Sequence, residues 1–307
     1  MYKVVKIAKV LINVFRYKLN TRPKVYWCLI DNADDPYSKV SKNNFGDMLS
    51  PFIVQRLTGK LPIYFDPKRV VGGKYIEYTC MVGSIIQFVQ KNCVIWGSGV
   101  LSSNVNVECK RILALRGKYS AAIAEKYGYH GVNVFGDPGL LLPLLYYPRV
   151  EKKHKIGIIP NFKEFSEIQE VFCNKKKYDS DEVIVIDFMT MKVEMVIDTI
   201  LSCEKIISTS LHGLVVAHAY DIPAVWAKFS EKLDGDDVKF FDYYSVFEQY
   251  SIKPLKLDIN ELFSVNEGRY FKPNEHVLKR IQIDLLNTFP YKIKNDIIKN
   301  FILNSSL

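Results

Sequence analysis

Short runs rich in valine, isoleucine and aromatic residues alternate along this chain with longer stretches of helical period, and no other feature constrains the fold as strongly. Strand, helix and strand in succession make the βαβ unit, whose helix returns the chain to begin the next strand in parallel. The expected class is α/β, with two Rossmann-like series. In the first, VYWCLI (25–30), CVIWGSG (93–99), RILALRG (111–117) and VNVFGDPG (132–139) are the strand candidates, and helices are expected over 48–57 and 120–127. The polar stretch after GLLLPLLYYP sets a domain boundary near 148–154. Beyond it KIGIIP (155–160), VIVIDF (183–188), KIISTS (205–210) and IPAVWA (222–227) are strands, with helices over 164–173, 192–202 and 211–220. Residues 228–270 show no clear period, and 273–289 reads as a helix that crosses back between the domains.

A chain of 307 residues with 48% hydrophobic and 24% charged residues can bury two modest cores, which excludes a disordered tail and a membrane bundle. Four segments are expected: a basic amphipathic stretch over 1–24, Rossmann-like domains over 25–150 and 151–270, and a helical extension over 271–307. Cys28, Cys80, Cys93, Cys109, Cys173 and Cys203 form no CxxC pair, so neither a zinc ribbon nor a thioredoxin-like motif is present. His130, His154 and His276 lack acidic or cysteine partners at metal spacing, and His218 falls about 240° around a helix from His212. No metal site and no redox cofactor are expected. The scattered thiols fit a reducing, cytoplasmic compartment.

The net charge of +9 suggests an anionic partner, yet seven positive charges fall before Asp31, where there is no acid. Later basic residues are balanced by acids, and no dense aromatic–basic motif emerges, so nucleic acid is not expected. Lys3, Lys6, Lys9, Asn13 and Arg16 recur at helical spacing against Val4, Val5, Ile7, Leu11, Ile12, Val14 and Phe15. Two readings fit: an interfacial helix on the cytoplasmic face of a membrane, and a basic-faced helix packed on its own domain. The apolar runs are too short for a secretory or spanning segment.

Ligands of open parallel sheets gather beyond the carboxyl ends of the strands. The sharpest polar signal there is IISTSLHGLVVAHAY (206–220), in which Ser208, Thr209, Ser210, Leu211 and Gly213 surround His212 where a strand runs into a helix. Free amides at such a start receive a phosphate or carboxylate, and His212 beside it can donate a proton; a turn-packing histidine is the structural alternative. In KNNFGDMLSPFIV (42–54), Asn44 and Gly46 form a polar loop and Asp47 either caps a helix or takes a proton from an attacking hydroxyl. Gly97, Ser98 and Gly99 of WGSG permit close ligand approach, and Arg116 could clamp an anion bidentately or form an ordinary salt bridge. Asp137 and Pro138 of GDPG are read as turn residues.

In this order, NNFGDMLSP (43–51), VIWGSGV (94–100), LALRGKYS (113–120), VFGDPGLLLP (134–143) and STSLHGLVVAHAYDIPAVW (208–226) resemble the polysaccharide pyruvyl transferase family, over roughly residues 25–228. The resemblance implies two Rossmann-like domains arranged like GT-B glycosyltransferases, the first on the acceptor side and the second on the donor side. It implies transfer of a pyruvyl group from phosphoenolpyruvate to two hydroxyls of a sugar in a cell-surface polysaccharide or its lipid-linked precursor, with a cyclic ketal formed and phosphate released. His212 matches the family's histidine and would be the general acid, Arg116 an arginine associated with the donor, and Asp47 the acidic residue of the first loop. Ser210 departs from the pattern, because some members carry arginine there; Lys118, Lys228 and Lys232 are the substitutes considered. Asp221 stands where glycine is common. A nucleotide-sugar glycosyltransferase and a non-catalytic glycan- or anion-binding protein are the alternatives.

Overall fold

The computed structural model describes residues 2–29, 43–175, 182–230, 236–258, 260–294, 296, 298 and 301. Helix α1 (Tyr2–Leu19) precedes a parallel sheet of β1 (Lys24–Tyr26), β2 (Ile63–Tyr64), β3 (Tyr78–Cys80), β4 (Cys93–Trp96) and β5 (Arg111–Ala114). Helix α2 (Phe45–Thr58) links β1 to β2. Helix α3 (Lys118–Glu125) follows β5, and a 3-10 turn over Pro138–Leu141 runs into α4 (Leu142–Leu145). The second parallel sheet comprises β6 (His154–Ile159), β7 (Val183–Val185), β8 (Cys203–Ser208), β9 (Ala224–Lys228) and β10 (Leu255–Lys256). Its helices are α5 (Phe165–Lys175), α6 (Val193–Leu201), α7 (Leu211–Ala219) and α8 (Val238–Tyr244), and α9 (Glu275–Asn287) follows.

The two sheets share one strand order. The first reads β2-β1-β3-β4-β5 and the second, in reverse, β7-β6-β8-β9-β10, so in each the opening strand lies between the second and third of its series. The direction of winding changes at that place, between β1 and β3 and between β6 and β8, and helix N-termini diverge there to leave a crevice. Covered on both faces, the inner strands are continuous apolar runs: all of Cys93–Trp96 is buried, as is Ile156–Ile159. Packing does not stop at the change of sheet, since one cluster joins Trp27, Leu49 and Leu141 to Ile159, Val215 and Trp226.

α9 returns to the first half. Trp96 Nε1 donates to the Leu285 carbonyl at 3.0 Å, Gln282 Nε2 donates to the Leu140 carbonyl at 2.8 Å, and Phe289 meets the Trp96 ring edge-on.

The structure departs from the sequence reading in three places. Residues 132–139 form no strand: Phe135 makes a single bridge to Leu115, Gly136 takes φ 148°, and Asp137 starts the 3-10 turn. Strands β2, β3 and β10 are only two or three residues long and carried no period to read. The aperiodic stretch 228–270 contains α8, buried through Val238, Phe240, Asp242, Tyr243 and Tyr244 and stacked by Phe240 on Trp226 at 4.3 Å. Asp221 adopts φ 62°, the left-handed conformation that glycine takes most readily and that aspartate tolerates.

Candidate active site

Both crevices end in a helix start, and the two starts touch. At the first, Asn44 caps α2 with its Oδ1 accepting from the Gly46 amide at 2.8 Å. The cap is therefore Asn44, which leaves the Asp47 carboxylate available for other work. Asp47 lies one turn in, close to Cys28 beyond β1, and its Oδ1 is 4.0 Å from where a Cβ on Gly83, beyond β3, would stand. Desolvation pushes its pKa up to about 7. α2 begins three residues earlier than 48, so Pro51 falls inside it and offers the Asp47 carbonyl no amide.

At the second crevice, Ser208 Oγ accepts from the Ser210 amide and shares its one proton between the carbonyls of Ile159 and Ser210, which fixes the exit from β8. Thr209 Oγ1 donates to Glu164 Oε2 at 2.6 Å and accepts from the Asn161 amide. A Cβ on Gly213 would stand 2.3 Å from Ser208 Oγ, so only glycine lets α7 sit this close to its strand. Leu211 is buried in the core. These residues shape the turn, and Ser210, the N-cap of α7, makes no side-chain cap hydrogen bond. The amides of Leu211 and His212 precede the first intrahelical donor and point out of the helix start.

His212 connects the crevices. A Cβ on Gly46 would lie 2.0 Å from its Nδ1, so the missing side chain of one helix start is the space that holds the ring of the other. The opposite nitrogen, Nε2, is buried and faces Asp137 Oδ2 at 3.9 Å; neither atom has a hydrogen-bond partner among the described residues. Asp137 spends its other oxygen on the Gly139 amide at 2.9 Å. Its role is thus double: the turn expected from the sequence, and a carboxylate aimed at the histidine. Burial pushes Asp137 up to about 6. Desolvation, helped by Arg116 and Lys239, pushes His212 down to about 3. With its pKa held that far down, the imidazole is neutral at pH 7. With Nε2 turned toward Asp137, Nδ1 is the nitrogen on the Gly46 side of the ring.

Arg116 is not an open anion clamp. It is 0% exposed; Nε donates to Asp242 Oδ2 at 2.9 Å, Nη1 to Ser84 Oγ at 2.5 Å and Nη2 to the Val100 carbonyl at 2.8 Å. Asp242 also accepts from the amide and hydroxyl of Ser120, so the pair locks α8 against the start of α3. The WGSG residues serve packing as well. A Cβ on Gly97 would meet Pro138 at 2.3 Å, one on Gly99 would meet the Arg116 guanidinium at 2.4 Å, and Ser98 Oγ donates to the Gly83 carbonyl. Their glycines admit neighbouring protein groups closely, where the sequence suggested a ligand.

Among the lysines considered, Lys118 donates to Tyr250 Oη, Lys228 pairs with Asp237, and Lys232 lies outside the described residues. Lys239, on α8, is the lysine whose charge reaches His212. Nothing in the local sequence signalled it. His218, buried and bonded through Nδ1 to Tyr243 Oη at 2.9 Å, belongs to the aromatic core.

A search of solved structures finds no match. An uncharacterized protein of Acanthamoeba polyphaga mimivirus is 32% identical over 209 residues, covering 66% of this chain and 71% of that protein. The family model described as polysaccharide pyruvyl transferase matches residues 24–228, a span that holds both crevices, His212, Asp47 and Asp137. The chain belongs to the polysaccharide pyruvyl transferase family, and its activity is of the pyruvyl-transferase type.

Proposed function

We propose that this enzyme transfers the pyruvyl group of phosphoenolpyruvate to two hydroxyls of a sugar in a cell-surface polysaccharide or its lipid-linked precursor, forming a cyclic ketal. The observation that carries this reading is the contact of the two helix starts, which sets the His212 ring against the residue before Asp47. The shared strand order of the two sheets supports a GT-B-like arrangement, with the acceptor on the first sheet and the donor on the second.

The donor anion sits at the start of α7 on the amides of Leu211 and His212 and the Ser210 hydroxyl, and Lys239 supplies charge in place of an arginine at 210. Bound anion draws a proton onto His212. Nδ1 then protonates the terminal carbon of phosphoenolpyruvate, and Asp137 steadies the imidazolium through Nε2. The second carbon becomes electrophilic and one sugar hydroxyl adds there, losing its proton to Asp47, whose raised pKa suits a base near neutrality. The other hydroxyl then displaces phosphate from the same carbon, and its proton leaves on the departing phosphate. One carbon–hydrogen and two carbon–oxygen bonds form, the carbon–carbon π bond and the carbon–oxygen bond to phosphate break, and no net oxidation occurs, so the reading invokes no cofactor. Arg116 contributes by holding α8, and Lys239 with it, against the first sheet.

Incubation with phosphoenolpyruvate and a panel of saccharides, lipid-linked ones included, should release phosphate and leave an acceptor heavier by one pyruvyl ketal. His212→Ala should abolish the product and keep the fold. Near-normal turnover of that variant removes His212 as the acid, and consumption of a sugar nucleotide in place of phosphoenolpyruvate overturns the whole reading.

A further inference from the structure

Helix α1 has two apolar faces, and the fold uses one of them. Val10, Val14 and Tyr17 turn inward: a Cβ on Gly72 would lie 3.1 Å from Val10 and 3.2 Å from Val14, and the Tyr17 ring packs edge-on against Phe65 at 5.3 Å. Asn13 Nδ2 fastens this side by donating to the Val71 carbonyl. On the other side Ile7, Leu11, Ile12, Phe15 and Leu19 are each 59–66% exposed. At about 100° per residue these five span an arc of roughly 140°, with Arg16 and Lys9 along one border and Lys18 within the arc, between Ile7 and Leu11. Val71 and Tyr75, both about half exposed, extend the patch, and with Ile7, Leu11 and Lys74 they line a groove of about 830 Å³. The two readings of the sequence are thus both present on one helix: it packs on its own fold and still offers a second face.

We propose that this second face docks on an anionic bilayer surface, with α1 lying in the plane of the headgroups. Charge selects the occupant. The first 30 residues hold seven basic side chains and no acid, so a second copy of the chain docked face to face would set Lys9 and Arg16 against their own counterparts. Acidic headgroups satisfy that border, while the five large side chains reach the acyl boundary. No helix among the described residues is long and apolar enough to cross a membrane, and lysines interrupt α1 along its length, which suits lying on a bilayer. The inference is independent of the reaction.

The full chain should float with vesicles of phosphatidylcholine containing phosphatidylglycerol at least about tenfold better than with phosphatidylcholine alone, and lose that binding as salt rises. Leu11→Glu with Phe15→Glu, and separately Lys9→Glu with Arg16→Glu, should each weaken it about tenfold or more while the circular-dichroism melt stays in place. Retained binding by the first pair, equal binding to neutral vesicles, or a wild-type dimer that the first pair dissolves would each overturn the proposal.

Discussion

Gly46→Ala sets two opposed effects against each other inside α2. Alanine is the better helix former, and the exchange alone would stabilise by up to about 1 kcal/mol. The added methyl, however, would stand 2.0 Å from His212 Nδ1, 2.7 Å from Cε1 and 2.8 Å from Cγ. Carbon contacts settle near 3.5 Å, so the ring has to retreat by about 1.5 Å, and overpacking of this kind costs about 1–3 kcal/mol. The net expectation is a loss of about 1 kcal/mol in urea unfolding. Catalysis should suffer more, by on the order of 10²-fold in kcat, because a displacement beyond 1 Å takes the imidazole off its line to substrate. In a His212→Ala background the obstruction is gone, and the same exchange should become stabilising. A cycle in which Gly46→Ala has the same effect with and without the His212 ring would refute the packing argument outright.

Further outcomes follow from the buried charges. Asp137→Asn retains an oxygen for the Gly139 amide but turns a donor toward His212 Nε2; kcat should fall on the order of 10²-fold, and nitrogen NMR should show His212 changing from the Nε2–H to the Nδ1–H tautomer. An unchanged tautomer leaves Asp137 with the cap alone. The Asp47 carboxyl titrates near 7 in the fold against its ordinary 3.8, so the folded state holds the extra proton between these values and stability falls as pH rises through them. Asp47→Asn escapes that loss: it should melt higher than the wild type above pH 7, with the advantage fading toward pH 4, and parallel melting curves would exclude the assignment. Arg116→Met leaves Asp242 buried without its cation and should cost about 3–5 kcal/mol in urea unfolding. A loss under about 1 kcal/mol would show that the pair is not a lock.

How far the sequence could be read depended on whether burial left a pattern. Stretches such as Cys93–Trp96 and Ile156–Ile159 are flanked by protein on both faces and wrote themselves as unbroken apolar runs. The helix after KIISTS was legible because β8 ends at Ser208 and α7 starts three residues on, directly after Ser210. By contrast α8 is seven residues long and buried around most of its circumference, so it shows no stripe, and both Lys239 and Asp242 were invisible with it. Arg116 could be placed at a strand end, but the partner that consumes its guanidinium lies 126 residues away. Asp137 shows the same gap: GDPG announces a cap, while the second oxygen acquires its meaning from a histidine on the other sheet.

The apolar cluster that runs beneath both sheets turns the passage near residue 150 into a seam. At Gly139 an added methyl would touch Val215 of α7, Asp137 and Leu49 of α2, so three elements meet within one side chain's reach. Halves joined this way should melt in one transition, and a fragment ending near 150 would carry its half of the cluster bare into solution. Rigid closure of one lobe on the other would have to tear that cluster, which leaves rearrangement of the surrounding loops as the less costly way for substrates to reach His212.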